Sequence, residues 1–535
     1  MSGALLLLPA SASATPPSEA AAPLPEGAVV SSNLEYVGRS PEARGITEGK
    51  FDTVRGKDIL VITGRFGFKT YDVEDPAKPK LLDEFLPPEL AANGYWQNED
   101  MELDTKRKLI IGALDPRHTE IDQSQCPAGG GVALAGCKSG FYVISYANPA
   151  EMRQIGDFVE LPSGHTSSCI QGCKYIWTGG PARSTPPARL PSGEIRPRVV
   201  NPEQAWLGPI LGPLDPTPWN YTRDVGDGRP IWVTDLTNPY RPEVSDQPVD
   251  IWRNDGYTDY SHDVDEDDEG IAWVSGRGGI RGYATSGYHR DPYTNQYRRA
   301  TPFEPVLVGG GGVAGTAQPV MLMHNSGRPT DGSVRAAGVK RGNVLVGTEE
   351  DFTQPCQNSG KIVLSDLTDS WGGEGAQQSR LDKPYRMKAL DTFHPFIDSP
   401  ETSTGPTGCS AHYFEIEGPL LGAGWYAQGT RLIDISDARD VRQVGYFRVA
   451  STTANESSNT WDIAFRSDRR KGDLVYVFDM NRGVEVLRLK KGGAYAAASM
   501  KKVTAPNLPS NAASPEPVSS LAVDGTGLVC PLFEY

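Results

Sequence analysis

Residues 58–85 read DILVITGRFGFKTYDVEDPAKPKLLDEF. Short apolar runs with period-2 alternation flank an Asp-Pro turn, a pattern of antiparallel strands. The unit returns along the chain. Residues 138–158 contain GFYVISYANPAEMRQIGDF, residues 230–250 read PIWVTDLTNPYRPEVSDQPVD and residues 429–447 read GTRLIDISDARDVRQVGYF. Each is an apolar run, a turn rich in Asp or Asn, and a second apolar run. Self-similarity at roughly 40–50 residues is the mark of propeller blades.

Working outward from these units, seven places stand just upstream of a β-rich run. Four carry histidine, in Gly164-His165-Thr166, Ser261-His262-Asp263, Met323-His324-Asn325 and Ala411-His412-Tyr413. Three carry an acid, in Phe51-Asp52-Thr53, Glu99-Asp100-Met101 and Trp461-Asp462-Ile463. Steps between them run from 48 residues (52 to 100) to 97 (165 to 262). The short steps fit a bare four-stranded blade. The long ones need insertions, which fall at residues 115–139, 181–228, 284–318 and 366–405.

The pattern in residues 59–85 resembles the LVIVD repeat of secreted bacterial β-propeller proteins, with residues 429–447 and 230–250 as the next best copies and weaker ones over most of residues 34–490. Blade four departs from it, because RGGIRGYATSGYHRDP has no Asp-Pro turn. The resemblance implies an exported propeller and says little of function, since propellers host many activities. The expected fold is all-β: a seven-bladed β-propeller of four-stranded antiparallel blades. Residues 32–39, SNLEYVGR, look like an outermost strand, and the last unit lacks one. The N-terminal strand is therefore expected to close the last blade, removing two open edges.

Composition agrees with one large β domain over residues 31–490. The 535 residues include 59 Gly, 44 Pro, 10 Trp and 21 Tyr. Residues 1–30 form a signal-like and disordered segment, with ALLLL at 4–8 and Ala12-Ser13-Ala14 as a cleavage pattern. Residues 491–535 form a low-complexity tail. No apolar stretch of about 18 residues suggests a transmembrane helix. A secreted or cell-surface location and a monomer are expected. Cys126, Cys137, Cys169, Cys173, Cys356 and Cys409 are disulfide candidates in an oxidising compartment, their connectivity open, with Cys530 left over. A net charge of −15 argues against a nucleic-acid partner.

The first strand of each propeller blade lines the central channel. His165, His262, His324 and His412 fall on blades three to six and are candidate ligands for one Cu, Fe, Zn or Mn ion. Such a four-His site resembles the iron centre of carotenoid cleavage oxygenases, although no other motif of that family occurs. Asp52, Asp100 and Asp462 are expected to line the channel. Two other readings of these places are a polar pocket without metal and a structural belt that satisfies buried backbone. Residues 263–270, DVDEDDEG, read as a turn rather than a calcium loop, and 277–282 and 309–312 as flexible glycine loops. Glu349, Glu350 and Asp351 read as a solvated turn, with a supporting role beside the histidines as the other option. His118, His289 and His394 fall in insertions without an evident partner. The favoured function is an exported scaffold that recognises a protein, peptide or polysaccharide through its loop-decorated face and channel. The alternative is a metal-dependent enzyme, perhaps an oxidoreductase, which requires the four imidazoles to share one sphere.

Overall fold

The structure is a computed structural model. It describes residues 22–87, 99–114, 140–161, 164–180, 231–245, 249, 260–277, 279–292, 294–313, 322–350, 360–371, 386–395, 410–451, 456–468, 472–490 and 493–503. The fold is all-β, built of antiparallel meanders. Sheet one runs Ile46–Val54, Lys57–Gly64, Gly67–Asp72, Lys80–Phe85. Sheet two runs Met101–Asp104, Leu109–Leu114, Gly140–Ser145, Arg153–Gln154, and sheet three Thr166–Ile170, Tyr175–Gly179, Trp232–Asp235, Glu243–Val244. Sheet four comprises Tyr260–Glu266, Ile271–Arg277, Gly279–Ala284 and Val306–Val313. Sheet five comprises Leu322–Gly327, Val344–Glu350, Ile362–Asp366 and Arg386–Phe393. A short parallel pairing of their last strands joins these two. Sheet six comprises Phe414–Glu417, Leu420–Gly424, Thr430–Asp434 and Arg442–Val449, and sheet seven Thr460–Asp468, Gly472–Asp479 and Gly483–Leu489.

The repeated units quoted above fall on the later strands of sheets one, two, three and six. Their Asp and Asn residues close the turns: Asp75, Asn148 and Asn238 each accept a backbone N–H two residues on. The alternation that reads as strand is a consequence of burial. Among the described residues, seven apolar clusters each join two consecutive sheets. Val61 and Phe68 meet Ile110 and Tyr142; Phe141 meets Ile176; Trp177 meets Val274. Trp273 meets Leu345, Leu364 meets Ile433, and Leu432 meets Val475. The seventh cluster packs Tyr476 and Phe478 of sheet seven on Leu60 and Ile62 of sheet one. At about 1.5–3 kcal/mol per fully buried large apolar side chain, these interfaces dominate the stability.

Leu34–Ser40 pairs with Gly483–Leu489 and gives sheet seven its fourth strand, the pairing expected for residues 32–39. Domain boundaries differ from those read in the sequence. Ala28–Val30, assigned to a disordered segment, adds a fifth strand to sheet six. Residues beyond 490 also pack: Ala494, Ala497 and Met500 enter the cluster between sheets six and seven, and Val503 N donates to Gln443 O. Their Ala-rich composition hides apolar contacts that need no long side chain. The glycine loops are also corrected. Gly309–Gly312 lie inside the buried strand Val306–Val313, and Gly279–Gly282 inside Gly279–Ala284. Glycine is required there because partners crowd it: a Cβ on Gly310, whose φ is +90°, would lie 2.3 Å from Ile280 O. Residues 284–318 are thus not one insertion loop, since they contain that strand and the hairpin Tyr288–Arg290 with Tyr297–Arg299. Insertions 115–139 and 181–228 lie outside the described residues.

Candidate metal centre

Among the described residues, five of the seven first strands are disturbed at the same place. The ladder slips between Ser261 and Asp263 in sheet four, between Met323 and Ser326 in sheet five, between Ile46 and Glu48 in sheet one, and between Thr460 and Asp462 in sheet seven. In sheet six Gly424 faces two residues, accepting from His412 N and donating to Tyr413 O. A bulge puts two residues opposite one and re-aims the extra side chain. The bulged positions are Thr47, His262, His324, His412 and Trp461. Glu99 and His165 hold the matching place before the first strands of sheets two and three.

The side chains so aimed converge. His165, His262, His324, His412 and Glu99 are all fully buried. Glu99 Oε2 stands 3.2 Å from His165 Nε2. Glu99 Oε1 stands 3.3 Å from His324 Nε2, 3.6 Å from His262 Nε2 and 3.7 Å from His412 Nε2. The Nε2 atoms of His165 and His262 are 2.9 Å apart. Neighbouring ligands at right angles around an ion, with bonds of about 2.1 Å, stand about 3.0 Å apart. Three groupings have ring nitrogens and carboxylate oxygens within 4.8 Å of one another: Glu99 with His324 and His412, Glu99 with His165 and His262, and Glu350 with His262 and His324.

Proton placement tests whether these residues fit a cation. His412 Nδ1 lies 2.9 Å from Trp461 O, a carbonyl that can only accept. Nδ1 therefore carries a proton, and in a neutral ring the Nε2 lone pair faces inward. That Nε2 is buried without a hydrogen-bond donor and faces a carboxylate. Nor can His165 and His262 both carry a proton on Nε2 at 2.9 Å. Lone pairs directed at an anion are compensated by a positive ion between them, so the donor set fits a metal. Burial drives the rings toward neutrality: His262 is held well below 6.5 by burial and then by the neighbouring imidazoles, against the opposing pull of Glu99. Burial, then His412, lowers His324 to about 3. Burial pushes the Glu99 carboxyl up, but His165, His324, His412 and His262 together outweigh it and hold the group well below the usual range.

Supports lie around the cluster. Tyr426 donates its hydroxyl to Glu350 Oε1 at 2.5 Å and stacks beside His412 with centroids 4.8 Å apart. Its φ of +38° is strained for an aromatic residue, and such strain persists where the surroundings fix a side chain. Trp461 packs on His412 from sheet seven. Gly424 admits this contact, since a Cβ there would lie 2.5 Å from the Trp461 carbonyl.

Sequence reasoning placed some groups elsewhere. Asp100 and Asp462 sit one residue past the converging position, and Asp100 Oδ2 accepts Ser167 N at 2.7 Å. Asp52 is not at this level: it lies farther along its strand, accepting from Lys108 Nζ at 2.6 Å and Tyr146 OH at 2.7 Å, and Glu48 takes the equivalent place. Glu99 was missed as the central carboxylate because it stands two residues before the strand Met101–Asp104, and Asp100 was taken as the inward group instead. Glu349 and Glu350 end a buried strand and do not form a solvated turn. Asp267, in the 263–270 segment, caps a turn by accepting Glu269 N and Ile271 N. His394, just past the strand Arg386–Phe393, is buried against Trp425, and His289 meets Ser286 O. Cys169 and Cys173 form a disulfide. Asp351, His118, Cys126, Cys137, Cys356, Cys409 and Cys530 lie outside the described residues.

No family model matches the chain, and no curated protein matches it. Among solved structures it is similar to the extracellular domain of a proposed one-component system from B. thetaiotaomicron, at 10% identity and a TM-score of 0.41, over 85% of this chain and 40% of that one. It is similar at 10% identity to a protein from Lactobacillus plantarum (TM-score 0.42; 82% of this chain, 91% of that one). It is likewise similar to a periplasmic gluconolactonase from Pseudomonas aeruginosa (TM-score 0.41, 10% identity; 78% of this chain, 90% of that one). The chain thus spans about two fifths of the first of these. No helix among the described residues is long and apolar enough to cross a membrane.

Proposed function

We propose that this chain is an exported seven-bladed β-propeller of the LVIVD-repeat kind that holds one transition-metal ion, Cu, Fe, Zn or Mn, between His165, His262, His324 and His412. Seven interlocking apolar clusters and the N-terminal strand in sheet seven support the ring. The observation that carries the metal reading is the convergence of four buried imidazole Nε2 atoms on Glu99, with the outer nitrogen of His412 engaged by Trp461 O. Four imidazoles suit Cu, Fe or Zn better than calcium or magnesium, which take oxygen ligands. When bound, such an ion supplies Lewis-acid or redox chemistry, so a metal-dependent enzyme of oxidoreductase type moves ahead of a pure scaffold. In this reading the chain's own groups orient the rings (Trp461 O), balance charge (Glu99) and keep bulk water from the cluster (Trp461, Tyr413, Tyr426). The scaffold reading rests on loops outside the described residues, and the two are compatible.

The test is elemental analysis of protein purified without chelator or histidine tag, beside a His262→Ala/His324→Ala variant. One equivalent of metal that disappears in the variant is expected. Wild-type protein without metal, and a folded variant that is only less stable, would leave a structural belt.

A further inference from the structure

We propose that the metal ion reaches the imidazole cluster through an acid-lined passage at the centre of the molecule, whose carboxylates attract and relay hydrated divalent cations. This rests on the metal reading above and concerns the route rather than the destination. One step past the bulged positions stand Glu48, Asp100, Asp263 and Asp462, and two residues farther along their strands Lys50, Glu102 and Asp265. With Glu415 of sheet six, that makes seven carboxylates around one ammonium. Lys50 Nζ pairs with Glu48 at 3.1 Å and Glu102 at 3.0 Å. It is also the counter-charge felt by Asp100, Asp263, Asp265, Glu415 and Asp462. These groups come from sheets one, two, four, six and seven. The first strands of these sheets and of sheet three lie side by side in the order six, seven, one, two, three, four.

Solvent exposure falls along the passage toward the cluster. Side-chain exposure is 28% at Lys50 and 22% at Glu102, 7% at Glu48, and zero at the histidines. Tyr413 adds an independent observation. It follows His412, lies beside His324 and His412 with centroids at 4.5 and 4.8 Å, and stands at the level of Asp100 and Asp263. Its hydroxyl is buried without a hydrogen-bond partner among the described residues. A phenol oxygen left bare amid carboxylates is a place for a water of a passing cation's shell. Several of the acids already hold the next sheet with one oxygen. Glu48 Oε2 accepts Met101 N, Asp100 Oδ2 accepts Ser167 N and Glu415 Oε2 accepts Phe465 N, at 2.5, 2.7 and 2.9 Å. The other oxygen of Glu48 meets Lys50, while those of Asp100 and Glu415 remain for contact through water. Among the described residues these acids do not converge as tightly as the imidazoles do, which fits a conduit rather than a second site.

A cleft of one charge sign raises cation on-rates by about 10–10³-fold, less at high salt. The experiment loads metal-free full chain with Co²⁺ in a stopped-flow instrument at two ionic strengths, followed by tryptophan quenching and the imidazole–Co²⁺ visible band. Glu102→Gln/Asp265→Asn is expected to slow loading about tenfold and to remove most of its salt dependence, with stoichiometry and equilibrium affinity nearly kept. Lys50→Gln, which removes the one opposing charge, is expected to speed loading, and it keeps the test decisive if the double variant folds poorly. Loading rates that ignore both variants would overturn the passage while leaving the metal centre intact. Failure of wild-type protein to bind Co²⁺ would overturn both.

Discussion

A carboxylate facing four imidazoles can be satisfied by four N–H donors or by a cation between it and the rings. Trp461 O decides for His412, because its proton is drawn to the outer nitrogen. Glu99→Gln keeps the shape and removes the charge; it is expected to weaken metal binding about 10–100-fold, read by chelator competition. Proton competition gives a second check. With His262 well below 6.5 and His324 at about 3, bound metal is expected to persist on dialysis well below pH 6. In metal-free protein the same depressed values mean that stability is full above the unfolded value of 6.5. It is lost as pH falls through the folded one, since the unfolded chain then binds more protons. Thermal melts of metal-free protein between pH 7 and pH 4 should show that decline, and His324→Gln should flatten it. The four histidines were legible in the sequence because each precedes a β-run at the same place. Glu99 was not, because it stands just before its strand, nor was the place of Glu48, which lies four residues before the misplaced Asp52 and beside a bulge that leaves no mark in composition.

The bulged first strand makes the site, and it depends on close backbone approach. Gly424 faces His412 and Tyr413 across the bulge and touches the Trp461 carbonyl that seats His412. Gly424→Ala is therefore expected to cost about 1–3 kcal/mol of stability through overpacking and to lower metal occupancy together with it. Occupancy kept at the wild-type level in a destabilised variant would separate the seat from the fold. Strand and turn positions were readable wherever an Asp or Asn turn divided two apolar runs, as at residues 58–85. They were misread at Gly309–Gly312, where glycine suits a crowded strand as well as a free loop. Ala494–Ser499 was missed because a short helix of alanines has too little contrast to stand out from a tail.

Across the whole molecule, stability rests on interfaces between neighbouring sheets, and the last one is supplied from the other end of the chain. Removing residues 1–40 would leave one edge of Gly483–Leu489 open and strip Leu34, Tyr36 and Val37 from the core. At about 1.5–3 kcal/mol for each, the loss of roughly 5–9 kcal/mol matches the stability of an ordinary domain. The truncated chain is expected to aggregate or to melt far below the full one in calorimetry. The central acids act in the opposite sense to the histidines. Glu48 is raised to about 8 and Asp265 to about 7, by burial first, so their share of stability is full below the unfolded carboxylate value and is lost as pH rises through those values. Asp265→Asn should therefore make melting less sensitive to pH between about 4 and 7.

The pairing of Leu34–Ser40 with Gly483–Leu489 also imposes an order of events during synthesis. Tyr36 leaves the ribosome 449 residues before Glu485 of the partner strand, and at about 5–20 residues per second the wait lasts tens of seconds. Through that interval both edges of the growing stack stay open to strands from other chains, and no ion can be gripped by rings from sheets three to six until the fifth and sixth have arrived. Closure is thus a late, long-range step, slow by topology. A circular permutant whose new ends lie between two sheets would convert that distant clasp into a local hairpin, finishing the same ring along a shorter path.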